Sequence, residues 1–390
     1  MKKISVILSI VLMVLFASCG ETLPVQTSSH EAEGLIAVTF NDTTTLHFRI
    51  TTDGEAQLTW DATDGKNYNT PTRYRHKGKL VLPAEITHAG KNYKVTSIDN
   101  NALFQQRSLE SLYIPDGIRH IGVKALSGCD KLKSLRLPAT LETLGEEAIS
   151  RCKQLKSLTI PESIKEIGKY ALYDCKMLRK ATIPVSITEL PEGLFEGCYS
   201  LDDIELHDKI TTIGIRTFSR CESLREISLP AGATDIRDEA FSDARSLRKI
   251  NLPDSLKYIP ESCFHGCIAL KSIDLKNVET ISHHAFAHCS MLAELKLPET
   301  LAAIGNGAFS GCESLTEVTI PVSVKLIANH AFAHCEKLQD INLLRTKPIE
   351  IESEHALPGE PCRINIPKGS IDSYQFTPKW KKFNYREVRY

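Results

Sequence analysis

Cys129, Cys152, Cys175, Cys198 and Cys221 stand 23 residues apart. Ala244 continues the register and Cys267 follows it. One residue is missing before Cys289, and Cys312 and Cys335 then resume the 23-residue step. Counting backward reaches Gln106, in a segment (Ala102-Leu-Phe-Gln-Gln-Arg-Ser-Leu109) that matches its neighbours. A sequence with about eleven such units is an array of short structural repeats. No unit can bury its apolar face alone, so neighbours must stack around one continuous core.

One unit shows how. In Leu155-Lys-Ser-Leu158-Thr-Ile160-Pro161, Leu158 and Ile160 flank Thr159, which is strand periodicity. Pro161 ends the strand because it has no amide to give to a ladder. Ile164 and Ile167 form a second inward edge, Gly168 is expected in a turn conformation, and Ala171 to Cys175 in a short helical or 3₁₀ turn. The sequence therefore predicts a β-rich solenoid.

The pattern Ile-Pro-x-Ser-Ile-x-x-Ile-Gly-x-x-Ala-Phe-x-x-Cys-x-x-Leu resembles the BspA-type leucine-rich repeat of surface proteins from Bacteroidota and some mucosal parasites. The resemblance covers residues 93–345. Departures are Ser262-Cys263-Phe264 in place of the Ala-Phe step, Ala244, and the deletion within Lys276–Thr280. Residues 34–92 alternate (Leu46, Phe48, Ile50, then Leu58, Trp60) around Asp53-Gly54, a hairpin turn sequence. A second hairpin is expected at Ala89-Gly90, so this region reads as an N-terminal cap. Residues 346–390 resemble the family's closing segment, with Tyr374, Trp380 and Phe383 expected to cover the last repeat.

Lys2 and Lys3 precede an apolar stretch from Ile4 to Phe16 and then Ala17-Ser18-Cys19. A charged start, a short apolar segment and small residues make a signal peptide over 1–18. The cysteine after them resembles the lipobox of bacterial lipoproteins, which makes Cys19 the lipid attachment residue; an ordinary cleaved signal is the alternative. Residues 19–33 then read as anchor and flexible tether. No other run could enter a membrane. The chain has 47 basic and 48 acidic residues, and removing Lys2 and Lys3 leaves 45 − 48 = −3. That balance excludes a polybasic nucleic-acid coat.

Equivalent cysteines in stacked repeats lie about 5 Å apart, within reach of a disulfide. Their parallel Cβ vectors, however, suit the required dihedral poorly. The run from Cys129 to Cys221 has five members, and Ala244 occupies the same slot. Cys129, Cys152, Cys175, Cys198, Cys221, Cys267, Cys289, Cys312 and Cys335 therefore read as a ladder of buried, reduced thiols. The sequence leaves the redox state of Cys263 and Cys362 open.

Catalytic signatures are missing: there is no H-E-x-x-H, G-x-S-x-G or Walker loop. Gly305-Asn-Gly307-Ala-Phe-Ser-Gly311 falls short of a dinucleotide loop in spacing. His284 and His288 are four apart, beside His283 and Cys289, and His330 and His334 repeat the spacing. Such a pair can hold zinc, but Gly307 and Gly311 fill those slots in the intervening repeat. Surface histidines without metal are the expectation, with no cofactor and no enzymatic activity.

Four residues after the ladder positions stand Lys133, Lys156, Arg179, Asp202, Arg225, Arg248 and Lys271. Six of the seven are basic, and stacking would place them in a stripe roughly 30 Å long. Such a stripe suits an anionic glycan; solvated surface copied by repeat duplication is the other reading. The cap patch Arg73-Tyr-Arg-His-Lys77 with Lys79 reads as an exposed strand face. The resemblance implies an adhesin that binds a host matrix or cell-surface protein; the chain is expected as a monomer, lipid-anchored in the outer membrane at the cell surface, with no nucleic-acid partner. A periplasm-facing scaffold or polysaccharide-handling accessory is the alternative, because Gly20-Glu21-Thr22-Leu23-Pro24 offers a single acid after Cys19.

Overall fold

A computed structural model describes residues 26–32, 35–41, 44–59 and 76–390. The signal peptide, Cys19, Trp60 and Arg73 to Arg75 lie outside the described residues. The chain forms two compact units, one ending at Ile167 and the other spanning Gly168–Tyr390. Each is a β-solenoid, with about 13 turns of about 23 residues in all and almost no helix. Two turns more than the cysteine spacing indicated come from the flanks, which form ladder strands without the cysteine signature.

In the first unit, β1 (Gln26–Ala32), β2 (Leu35–Phe40), β3 (Thr44–Ile50) and β4 (Ala56–Thr59) form an antiparallel meander. The tether expected over 19–33 thus contains a strand, because the amides of 26–32 find partners in β2. Gly54, at φ 74°, makes the expected Asp53-Gly54 turn. The strands β5 (Gly78–Val81), β6 (Glu85–His88), β7 (Lys91–Ile98) and β8 (Leu109–Tyr113) follow. Ala89 (φ 47°) and Gly90 (φ 71°) close the β6–β7 hairpin, both left-handed as a type I′ turn requires. β4 then pairs in parallel with β7, and β7 with His120–Ile121, so the meander continues directly into the repeat ladder.

Each repeat contributes two short parallel strands. In the second unit one series runs through Tyr258–Ile259, Thr280–Ile281, Ala303–Ile304, Leu326–Ile327 and Glu350–Ile351. The other includes Glu226–Ser228 with Lys249–Asn251, and Ser272–Asp274 with Glu294–Lys296. The 22-residue step is absorbed in a tight turn at Leu275–Val278, where Lys276 takes φ 53°, and strand register is kept on both sides.

The segment before each ladder cysteine is not helical. Tyr173 and Cys175 donate three residues back, to Tyr170 and Leu172, whereas Tyr170, Leu172 and Asp174 donate to Glu192, Leu194 and Glu196 of the next turn. Alternate amides are claimed by the neighbouring repeat, so a succession of β-turns replaces the expected helical or 3₁₀ turn. Its fifth and first residues before the cysteine are left-handed, as at Tyr170 (φ 56°) and Asp174 (φ 54°).

The glycine of the Ile-Gly step has a different role from the one expected of Gly168. Its equivalents Gly122, Gly145, Gly214 and Gly305 are not left-handed; a Cβ on Gly214 would stand 2.5 Å from the Leu190 carbonyl oxygen, and one on Gly305 2.6 Å from Ser282 backbone. These are close approaches of one turn's backbone to the next. Gly214→Ala should therefore cost about 1–3 kcal/mol in urea unfolding, while Gly359→Ala, with open space around it, should change little. Equal effects would remove the close-approach argument.

At the C-terminal end, α1 (Ile371–Gln375) and a 3₁₀ turn at Pro378–Trp380 bring Tyr374 and Trp380 into the core. The Tyr374 hydroxyl donates to the Arg345 carbonyl at 2.8 Å and the Trp380 indole to that of Ile349 at 3.0 Å. Aromatics cover the end of the array, as the sequence indicated.

Candidate binding surface on the repeat strands

Each turn enters its longer strand just after a buried leucine: Leu224, Leu247 and Leu270 are each fully enclosed. The next residue emerges into solvent, and its backbone is fixed by the neighbouring turn. The amides of Arg248 and Lys249 both donate to the Arg225 carbonyl, at 2.8 and 3.3 Å, and Ala293 donates to that of Lys271 at 3.0 Å. Side chains at this position are thus displayed one per turn on a rigid ladder.

All six basic residues singled out from the sequence are exposed there, but pairing divides them. Lys133 Nζ lies 2.9 Å from Glu110, and this hydrogen bond holds the Glu110 carboxyl below its ordinary range. Arg179 lies 2.6 Å from Asp202, the residue that interrupts the basic series, and the bond raises the guanidinium's already high value. Lys180 is likewise paired with Asp203 at 2.7 Å. Among the described residues, Lys156, Arg225, Arg248 and Lys271 have no carboxylate at salt-bridge distance. Neither has Lys249, one residue beyond the column read from the sequence and therefore missed. The uniform stripe is replaced by neutralised stretches and, in the second unit, an unneutralised run over three successive turns. Beyond that run the face turns acidic. A groove of about 590 Å³ is lined by Ser272, Asp274, Glu294, Lys296, Thr316 and Glu317. It opens where Glu294–Lys296 and Glu317–Ile320 belong to different sheets.

The histidines have a conformational explanation. His284, His288, His330 and His334 occupy the two left-handed slots of their turns, at φ 53° to 61°, where histidine is among the enriched non-glycine residues. A Cβ on Gly307 would meet the His284 ring at 2.6 Å, and one on Gly311 the His288 ring at 2.8 Å. Imidazoles of one turn thus lie over glycines of the next. Among the described residues no group of three metal-ligating side chains is placed to hold a metal ion.

The eleven cysteines from Cys129 to Cys362 are buried, and none is in a disulfide. The ladder thiols do more than fill space, since each donor points at a carbonyl one turn back. Cys198 reaches Leu172 at 3.2 Å, Cys267 reaches Phe241 at 3.2 Å and Cys312 reaches Phe286 at 3.4 Å. Gln106, at the head of the series, instead accepts from the His76 amide at 3.2 Å. Cys362 precedes the strand Arg363–Pro367 and lies outside the ladder. Of the cap patch, Lys79 is exposed on β5, and Lys77, also exposed, precedes that strand.

The model of the BspA type leucine rich repeat region matches residues 96–222, 188–291 and 270–376. The chain belongs to the BspA-type leucine-rich repeat family. No curated protein matches it. Among solved structures it is similar to a leucine-rich repeat protein from Bacteroides ovatus, at 22% identity and a TM-score of 0.55, covering 95% of this chain and 99% of that one. A leucine rich cell surface protein from Faecalibacterium prausnitzii shows 21% identity and a TM-score of 0.54, covering 93% and 99%. The pneumococcal vaccine antigen PcpA shows 17% identity and a TM-score of 0.60, with coverage again 93% and 99%. At these identities the likeness is one of fold. In the BspA-type array, sequence variation between turns falls on the displayed positions, and the buried ones recur.

Proposed function

We propose that this BspA-type protein is a non-enzymatic, lipid-anchored envelope protein whose repeat surface binds protein or glycan, and that its role is adhesion to host matrix or to other cells. The supporting observation is the display itself: exposed side chains that differ from turn to turn are presented one per turn on strands tied by inter-turn backbone bonds. Many modest contacts along such a face add into useful avidity. The Faecalibacterium relative is described as a cell surface protein and the pneumococcal one as a vaccine antigen, descriptions that suit exposure outside the cell. Cys19, after Ala17-Ser18, would carry the lipid, and two or more acyl chains suffice for stable anchoring.

The single acid after Cys19 favours a second reading, a scaffold or polysaccharide-handling accessory facing the periplasm. Protease shaving of intact cells, followed by blotting for residues 34–390, separates the two. Cleavage in intact cells is the expected result. Protection until the outer membrane is opened would overturn surface adhesion in favour of the periplasmic role.

A further inference from the structure

Many cations on this fold are neutralised by a carboxylate one turn away. Lys124 pairs with Glu147, Lys153 with Asp130, Lys165 with Glu142, Lys169 with Glu192, Arg216 with Glu239 and Lys257 with Glu279. Arg225, Arg248, Lys249 and Lys271 have no such partner and stand together. They occupy three successive turns, all four are exposed, and among the described residues none has a carboxylate at salt-bridge distance. The acids nearest in register are Glu226, the strand partner of Lys249, and Asp202, one turn before Arg225 and already paired with Arg179. Within these three turns the four positive charges thus face one acid in register, with the amides of Arg248 and Lys249 tied to the Arg225 carbonyl.

We propose that Arg225, Arg248, Lys249 and Lys271 form a binding site for a linear anionic glycan carrying sulfate or carboxylate groups. The assignment rests on the binding role above and gives it a ligand class. One cation per turn at about 4.8 Å presents a straight row to a polymer with about one charge per sugar. Arginine's planar fork grips sulfate or carboxylate oxygens in pairs, while lysine acts as a point charge. Nucleic acid fits less well: the row holds no aromatic side chain on which a base could stack.

The row also has ends. On one side the Arg179–Asp202 and Lys180–Asp203 pairs neutralise it. On the other, the column continues as Ala293 and Thr316, with Glu294 and Glu317 beside them. The footprint is therefore three turns, and it can be lengthened by changing those acids.

The test measures binding of the full-length protein in detergent to fluorescent heparin, across a salt series. Wild type should bind with strong salt dependence. The triple variant R225E/R248E/K271E should lose about tenfold or more in affinity, and R225Q/R248Q/K271Q should lose less but in the same direction. The salt slope should flatten by roughly three. The pair K133E/R179E, whose cations are already neutralised, should stay within about twofold of wild type. The pair E294K/E317K should bind more tightly. Circular dichroism of every variant checks that the solenoid persists.

The proposal is overturned if wild type does not bind heparin, if the triple variants bind as wild type does, or if K133E/R179E loses as much. It is overturned as a glycan site if duplex DNA competes as well as heparin. These outcomes are independent of protease shaving, so a failed row leaves surface adhesion standing, and a periplasmic location leaves the row standing.

Discussion

Raising the pH from 8 to 10 is expected to unfold the repeat array, with the transition between pH 9 and 10. The cause is the cysteine ladder. Burial holds the thiols of Cys198, Cys221, Cys263, Cys267, Cys289, Cys312 and Cys335 above their ordinary range, that of Cys335 up to about 12. In the unfolded chain a thiol ionises near pH 8.5. Below that value both states are protonated and the ladder contributes no pH dependence. Above it the unfolded state binds fewer protons than the native state, so stability falls as pH rises toward the folded value. Each thiol then removes about 1.4 kcal/mol per pH unit, and seven together about 9–10. A domain's whole stability is about 5–15 kcal/mol, so one pH unit is enough. Circular dichroism in reductant reads the transition directly. Replacing Cys198 and Cys221 by alanine, the residue already present as Ala244, should raise the midpoint. An unshifted midpoint in that variant, or rapid alkylation of native thiols at pH 8, would show that the ladder is not the cause.

The thiol ladder was legible in the sequence because it recurs at one residue type and one spacing. The hairpin turns were legible too, since Asp53-Gly54 and Ala89-Gly90 each supply a glycine, which tolerates left-handed backbone. What the sequence hid depends on stacking. The left-handed slots hold Lys124, Tyr170, Arg216 and His284 in different turns, so no residue type marks them; inter-turn amide bonds impose the conformation. For the same reason the spacing of the histidines four apart did not disclose that they fill left-handed turn slots. The break-up of the basic stripe was half visible, since Glu110 and Asp202 stand one period from Lys133 and Arg179. Which neighbour a cation leans toward is decided by side-chain packing. Lys133 pairs with the preceding turn and Arg179 with the following one. Strand β1 was invisible because its pairing with β2 is set by partners and not by its own composition.

The second large effect is expected at Phe264. Phe195, Phe218, Phe241, Phe264, Phe286, Phe309 and Phe332 form a continuous stack through the core of the second unit, with centroids 5.2–5.7 Å apart and planes within 14°. Every ring is fully buried. Phe264 sits mid-stack, 5.5 Å from Phe241 and 5.2 Å from Phe286, so Phe264→Ala removes two ring contacts and leaves a cavity that the fixed inter-turn backbone cannot collapse. A loss of about 3–5 kcal/mol follows. Phe264→Leu should lose less, because Leu172 fills the same slot in its own turn and is equally buried. In a repeat array, stability is a sum of turn and neighbour terms. The alanine variant should therefore lose hydrogen-exchange protection first at the turns either side of residue 264, well before the C-terminal aromatic cap opens. Uniform loss of protection across the second unit would mean that its turns fold as a single block, and that the stack acts through global cooperativity instead of nearest-neighbour packing.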